Sequence, residues 1–397
     1  MTKFLLNLAL IVTPFFVVPG LDVRDIKLTA ASVLATALGL AGLYFVNIKR
    51  LNNKWFYILL GYSLVCYIIA PNPSLKMLGM EVGTFWIWQP MYQFLTFGLA
   101  IIVISSINFS KRDLAIIFHI MVWCGLIMSL YVLCQAANID QFFNSVGLDR
   151  LGKMAGTIGN PTHVSPFIAM LIPLAIYLRR YIISLIMIVA VCLTTSQVAI
   201  GAMIIGLLVY VALCNKVALY SIVTLILLCS VTLGGLLYTK TIQKSDLRTF
   251  VSDNQRFMVY EQIIKDVNAK PFKDSDIRYP FTGWGMGNFK YTFHFAHSES
   301  ETFMRFQQAH CDPLEFLYNT GIIGFLLLLA TLFVFFKQKA IKFWNIGLTK
   351  PERALLAGFV IICVASCGTF IWQVGTTAMY SCVFFGLLNS KGVKNYA

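Results

Sequence analysis

Two residues with complementary chemistry lie in one polar stretch of the chain, which runs from Thr239 to Asp312. Arg256 provides a permanent positive charge of the kind that binds phosphate groups. His310 provides an imidazole, which in its neutral form can accept a proton from a reacting hydroxyl group. Their function depends on the elements that hold them.

Arg256 lies in a segment whose apolar residues recur with helical spacing, and we predict a helix from Asn254 to Val267. The apolar positions are Tyr260, Ile263, Ile264 and Val267. Arg256 precedes Tyr260 by four residues and Ile263 by seven, which places it on the buried face. An inward arginine requires an anion. Both a structural carboxylate of the same stretch and a bound phosphate fit the sequence.

His310 lies just ahead of a second predicted helix. We expect Asp312 as the N-cap, Pro313 at the first helical position and Glu315 at the third, which resembles a capping box. The partial positive charge of a helix N-terminus favours anions and disfavours a protonated imidazole. His310 is therefore a candidate general base, although an interfacial histidine without a catalytic role fits the sequence as well.

Other chemically suggestive residues give weaker signals. The residue types of a metal site recur at His294, His297, Glu299, Glu301 and His310, but their spacing matches no known signature. The glycine-rich run 283–288 lacks the lysine and the strand context of a nucleotide-binding loop. Asp274 and Asp276 lie in a lysine-rich turn, and His119 is expected to pack as a neutral histidine between helices. We therefore predict no metal and no other cofactor.

The composition determines the surroundings of these residues. Of the 397 residues, 58% are hydrophobic and 12% are charged, whereas a soluble domain carries roughly 25% charged residues. Apolar runs of spanning length lie at about 4–19, 28–47, 55–70, 86–108, 114–136, 162–178, 181–195, 197–214, 217–238, 313–336, 354–371 and 373–390. We predict an all-α polytopic membrane protein with about 12 transmembrane helices. Helices 1–9 occupy residues 1–238, an external loop with short helices occupies 239–312, and helices 10–12 occupy 313–397.

The basic residues predict the orientation of this bundle. With a cytoplasmic N-terminus, the inside segments hold 16 Lys and Arg residues and the short outside loops hold 5, among them Arg24 and Lys27. This asymmetry follows the positive-inside rule, so both termini are predicted to be cytoplasmic and the long loop external. The net charge of +14 is thereby explained without a nucleic-acid partner. The loop holds thirteen aromatic residues among near-balanced charges, which favours a folded loop at the bilayer surface.

The residues from Arg256 to Gly324 resemble the O-antigen ligase and polymerase superfamily of bacterial envelope glycan enzymes. Arg256 looks like the loop arginine of that family, and Pro280 to Phe289 looks like its glycine-rich turn. Ala309 to Phe316 and Thr320 to Gly324 look like its histidine segment and the following helix. The stretch from Gly156 to Pro161 is similar to a glycine–asparagine stretch that the family carries before its sixth span.

This resemblance implies a metal-independent glycosyltransferase in the bacterial inner membrane. The donor would be a glycan on undecaprenyl pyrophosphate, and the acceptor would be the lipid A core for a ligase or another lipid-linked glycan for a polymerase. The histidine would be the base that deprotonates the acceptor hydroxyl, and the loop arginine would hold the pyrophosphate. We favour the ligase. The matching motifs also mark substrate-binding candidates at Trp284, Gly285, Gly287 and Asn160.

The chain departs from the family pattern at two positions. The family commonly has Ser-Arg where this chain has Ser196-Gln197, so that contact with an anionic ligand would have to come from elsewhere, with Arg248, Arg278 and Arg305 as candidates. Cys311 replaces the usual asparagine after the histidine.

Two functions of other classes remain open. A secondary transporter or lipid flippase would carry charged residues inside its helices, whereas only Glu315 is charged within the predicted spans. A structural membrane scaffold would leave Arg256 and His310 without a role.

Overall fold

A computed structural model describes residues 1–17, 23–43, 51, 53–69, 84–139, 154–215, 254–268, 279–289, 292–293 and 308–394. Throughout these ranges the secondary structure is helical, and no strand occurs in them. The ninth predicted span, 217–238, lies outside the described residues.

The long helices are numbered in chain order. They are α1 (Thr2–Phe15), α2 (Val23–Gly42), α3 (Lys54–Ile69), α4 (Thr84–Ser106), α5 (Lys111–Ala136), α6 (Pro161–Tyr177), α7 (Tyr181–Leu193), α8 (Gln197–Cys214), α9 (Asn254–Asn268), α10 (Asp312–Asn345), α11 (Lys350–Ser366) and α12 (Gly375–Asn389). Short helical turns occupy Gly156–Ile158, Tyr279–Thr282, Ile371–Gln373 and Lys391–Lys394.

Each predicted span within the described ranges overlaps one of these helices, with bounds that differ by up to nine residues, and α9 matches the helix predicted in the long loop. Within the described part of the chain, α5, α8 and α10 are long and apolar enough to cross a membrane, and six further apolar helices are shorter. The fold is therefore that of an all-helical protein compatible with a membrane.

The centre of the bundle is formed by α6 and α12. Every residue of α12 is buried, and α6 is buried from His163 to Ala175. Around them, α11 packs against α6, α8 and α12, while α2 and α4 pack against each other and against α12. A helix that is buried on all sides is expected at the centre of a multi-helix bundle, because it has no face left for lipid or water.

One end of the bundle carries ion pairs. Lys3 at the start of α1 contacts Asp113 at the start of α5 at 2.6 Å. Glu352 at the start of α11 is fully buried and lies 2.7 Å from Lys342 and 3.9 Å from Lys339, both on α10. Glu352 also accepts a hydrogen bond from the backbone N–H of Thr349 at 3.0 Å. These contacts close the hairpin between α10 and α11.

At the opposite end, the structure contradicts the prediction that Lys27 lies in a short loop. Lys27 belongs to α2 and is completely buried. Its ammonium group donates to the carbonyls of Thr13 and Pro14, where α1 ends. Thr157 also donates to the carbonyl of Pro14, at 2.6 Å, and Thr376 donates to that of Thr13 at 2.9 Å. The last carbonyls of a helix lack partners within the helix, and here they are satisfied by α2, α12 and the 156–158 turn.

Replacing Glu352 with glutamine is expected to destabilise the protein by about 3 kcal/mol, because it leaves buried lysine charge without its carboxylate. The measurement is the midpoint of thermal unfolding in detergent. The matched control is Glu261→Gln, which removes an exposed pair with Lys265 and should change stability by less than about 1 kcal/mol. Equal midpoints for the two variants would contradict a structural role for Glu352.

Candidate functional site

His310 lies two residues ahead of α10, as the sequence predicts, in an unusual backbone conformation. Its φ of 52° falls in the left-handed region, which residues other than glycine rarely adopt without support from their surroundings. Part of this support comes from α9, because the hydroxyl of Tyr260 donates to the His310 carbonyl at 3.0 Å. The side chain of His310 is half-buried.

The start of α10 differs from the predicted capping box. The N-cap is Cys311 rather than Asp312, and it makes no side-chain capping hydrogen bond. Asp312 instead accepts a hydrogen bond at 3.2 Å from the backbone N–H of Trp372, in the connection between α11 and α12. Glu315 accepts from the backbone N–H of Ala309 at 2.9 Å. Glu315 thus holds the backbone just ahead of His310, and Asp312 holds the connection between α11 and α12.

Arg256 lies on the inward face of α9, but the buried stripe is not the predicted one. The buried apolar residues are Val259, Ile263 and Val267, whereas Ile264 is 50% exposed. Val259, Ile263 and Val267 follow one another at intervals of four residues, so they lie on one face of α9. This face packs against Phe289, Phe293 and Tyr318, and Tyr318 belongs to α10. Arg256 precedes Val259 by three residues, so it stays on this face, half-buried. Its Nη1 donates to the carbonyl of Gly368 at 3.3 Å.

The connection between α11 and α12 brings the two predicted residues together. Gly368 accepts the hydrogen bond from Arg256, and two residues later the ring of Phe370 contacts the ring of His310 edge to face, with 5.0 Å between centroids. The same phenyl ring contacts His163 of α6 edge to face at 4.6 Å. His163 and Phe370 are residues that sequence reasoning missed. The signal for His163 was its position two residues after the glycine–asparagine stretch, whereas Phe370 carried none.

Asn160 begins the helix that carries His163. It is the N-cap of α6, and its side-chain oxygen accepts from the backbone N–H of Thr162 at 2.9 Å and from the Thr162 hydroxyl at 2.8 Å. Just ahead of it, the N–H of Gly156 donates to the side chain of Gln135 of α5 at 2.8 Å. In the structure Asn160 therefore sets the direction of α6 at this end of the bundle.

Trp284 and Gly285 lie against a break in α10, and Gly287 follows in the same turn with a φ of 81°. At Gly321 the α10 backbone leaves the helical conformation, with φ 67° and ψ −172°. The N–H groups of Trp284 and Gly285 donate to the carbonyls of Tyr318 and Asn319 at 3.0 and 2.8 Å. The indole of Trp284 stacks on the Tyr318 ring at 5.7 Å. The glycine-rich turn thus satisfies carbonyl groups that the break in α10 exposes.

The remaining candidates are distributed differently. Arg248, Arg278 and Arg305 lie outside the described residues, as do His294, His297, Asp274 and Asp276. Gln197 is the first residue of α8 and follows the N-cap Ser196. His119 lies in α5, where its Nδ1 is 2.7 Å from the Ala115 carbonyl oxygen, and it lines a groove of about 490 Å³ between α1 and α5.

Comparisons with known proteins give no further assignment, because the chain matches no protein-family model and no curated protein. The geometry itself provides a cationic group, an imidazole and the N-termini of α6, α10 and α12 at one end of the bundle. Helix N-termini and a guanidinium group favour an anion there. The imidazole is suited to accept a proton from a nearby hydroxyl group.

Gly283→Ala is expected to loosen the glycine-rich turn from α10. Gly283 has a φ of 65°, and a Cβ placed on it would lie 2.5 Å from the backbone nitrogens of Thr320 and Gly321, which have no room to move. The expected loss is about 3 kcal/mol, from strain and overpacking together.

This loss is measured by thermal unfolding and by limited proteolysis of the segment from Thr239 to Asp312. The control is Gly61→Ala in α3, where nothing lies within 4 Å of the added methyl group. Unchanged proteolysis of Gly283→Ala would contradict the docking of the turn on α10.

Cys311 is expected to be unreactive despite its position beside His310. Burial raises the pKa of its thiol to about 12, so the thiolate, which is the reactive form, is scarce at pH 8. Maleimide labelling at pH 8, followed by mass spectrometry, should modify the exposed Cys134 and leave Cys311 unmodified until the protein is denatured. Rapid labelling of Cys311 in the folded protein would contradict this prediction.

Proposed function

We propose that the protein is a glycosyltransferase of the O-antigen ligase type, which moves a glycan from undecaprenyl pyrophosphate to a sugar of the lipid A core. The observation that carries the proposal is that Arg256 and His310 both contact the connection between α11 and α12, at Gly368 and at Phe370 two residues later. The resemblance of the surrounding segments to the ligase and polymerase superfamily supplies the substrate class.

The reaction requires one proton acceptor and one stabilised leaving group. His310 accepts the proton of the acceptor hydroxyl as the hydroxyl oxygen attacks the anomeric carbon of the donor sugar. The bond between that carbon and the pyrophosphate oxygen breaks, and both electrons leave with the lipid pyrophosphate. Arg256 stabilises the negative charge that develops on this leaving group. A single displacement of this kind inverts the configuration at the anomeric carbon.

The electrostatics of the site support an anionic donor. Besides Arg256, the end of the bundle that holds His310 contains the N-termini of three long helices, α6, α10 and α12. The acidic residues there, Asp312 and Glu315, are occupied by backbone N–H groups. Arg256 and the three helix N-termini therefore favour a pyrophosphate at this end.

The proposed orientation places this end at the outer face of the bacterial inner membrane, with both termini in the cytoplasm. It is supported by the separation of charges between the two ends of the bundle. The starts of α1, α5 and α11, with Lys3, Lys111 and Lys350, lie at the end opposite to His310. Positively charged segments are retained in the cytoplasm during insertion. An outward-facing site is also where a lipid-linked glycan would meet its acceptor.

The test is complementation of a deletion strain with His310→Ala and Arg256→Ala, followed by analysis of surface glycans on gels. Each substitution should remove the polymer from the lipid A core, since loss of a general base alone costs about 10²- to 10⁴-fold in rate. The matched control is Arg180→Ala, an exposed arginine at the start of α7, which should complement fully.

The glycan pattern also separates the two enzymes of the superfamily. A core without any glycan indicates a ligase, whereas a core bearing a single repeat unit indicates a polymerase. A normal glycan pattern with both variants present at wild-type levels in the membrane would contradict the enzymatic function and favour a transporter or scaffold.

A further inference from the structure

We propose that His163 positions the imidazole of His310 through the ring of Phe370. This role rests on the proposed function of His310 as the base, although the arrangement of the three rings can be tested without any transfer reaction. His163 and Phe370 would then be positioning residues, because His310 alone of the three would contact the substrate.

The three rings form a chain that runs from the interior of the bundle towards the site. His163 is 5% exposed and Phe370 is 4% exposed, whereas His310 is half-buried. Both imidazoles contact the phenyl ring edge to face, each with an interplanar angle of 66°. Edge-to-face pairs have a preferred geometry, since the positive edge of one ring faces the negative face of the other. Fixing the first ring therefore restricts the second and the third.

His163, at the inner end of the chain of rings, is held by the start of α6. Asn160 caps this helix, and its carbonyl accepts from the N–H of His163 at 3.1 Å. His163 is thereby fixed in the first turn of the most buried part of the bundle. The glycine–asparagine stretch would then act through His163, which gives it a role in the site without contact with the substrate.

The imidazole of His310, at the outer end of the chain of rings, needs such support. His310 has a left-handed backbone conformation, so its side chain is not held by regular helix geometry. Arg256 reaches Gly368, two residues before Phe370, through its own hydrogen bond. The connection between α11 and α12 therefore contacts both His310, the proposed base, and Arg256, the cation. The distance between these two groups depends on this connection. Catalytic groups must be held closely in place, because a displacement of about 1 Å can reduce the rate on the order of 100-fold.

The alternative role for His163 is direct contact with the substrate as a second acid, base or ligand. Its burial disfavours this role, since a group that touches the substrate must be reached from the site. The two roles differ in what they require of the side chain. Positioning requires an aromatic ring, whereas direct chemistry requires the ring nitrogens. His163→Phe keeps the former and removes the latter.

The first experiment measures the rate at which diethyl pyrocarbonate modifies His310 in the purified full-length protein, by mass spectrometry. In His163→Ala and in Phe370→Leu the rate should rise roughly tenfold, because local opening of the ring chain exposes the imidazole more often. In His163→Phe it should return close to the wild-type rate. His119, in α5, is the internal control, and its modification rate should stay constant.

Unchanged modification of His310 in His163→Ala would overturn the proposal. So would modification of His163→Phe as fast as that of His163→Ala, which would show that the ring nitrogens matter. An equal rise at His119 would mean that the whole fold has loosened, and it would also count against a local chain of rings. Because no donor or acceptor is present, these results stand even if the protein transfers no glycan.

The second experiment follows transfer kinetics with the same variants. Phe370→Leu should lower kcat by about 10- to 100-fold while KM stays within about twofold, since the misplaced base affects the transition state rather than binding. His163→Phe should recover most of the kcat that His163→Ala loses. A rise in KM without loss of kcat would instead assign the two residues to substrate binding and would overturn the positioning role.

Discussion

The structure depends on one constraint, which is that backbone polar groups at the ends and breaks of buried helices must find partners inside the protein. In an apolar environment water cannot supply them, and each unsatisfied group costs several kcal/mol. At the end of α1, the carbonyls of Thr13 and Pro14 accept hydrogen bonds from the side chains of Lys27, Thr157 and Thr376. At the break in α10, the carbonyls of Tyr318 and Asn319 accept hydrogen bonds from the backbone N–H groups of the glycine-rich turn. The end of α1 and the break in α10 are thus each satisfied by groups from other parts of the chain.

The same constraint builds the candidate site. The connection between α11 and α12 is irregular apart from the short turn Ile371–Gln373, and side chains from distant parts of the chain satisfy two of its backbone groups. Asp312 accepts from the N–H of Trp372, and Arg256 donates to the carbonyl of Gly368. Between these two contacts lies Phe370, with an imidazole on either side. An imidazole and a guanidinium group are thus both contacted by a segment that contains neither of them.

Sequence reasoning succeeds where the determining interactions are local. The 3.6-residue period predicts α9, and proline and acidic residues after His310 predict the start of α10 within one residue. It fails where contacts between residues far apart in the sequence determine the local structure. Asp312 is not the N-cap, because its carboxylate accepts a hydrogen bond from the backbone N–H of Trp372, 60 residues away. Lys27 is buried, since the end of α1 needs a donor. His163 and Phe370 meet His310 only through tertiary packing, which no periodicity encodes.

The most direct test of the central claim is a reconstituted reaction with the purified protein, a lipid-pyrophosphate-linked oligosaccharide and the lipid A core. The quantities measured are the lipid pyrophosphate released and the glycan transferred. The account predicts one lipid pyrophosphate per glycan transferred for the wild-type protein. For His310→Ala it predicts donor binding without release, and for Arg256→Ala it predicts weakened donor binding. Release at the wild-type rate from His310→Ala would contradict a catalytic role for this histidine and, with it, the proposed mechanism.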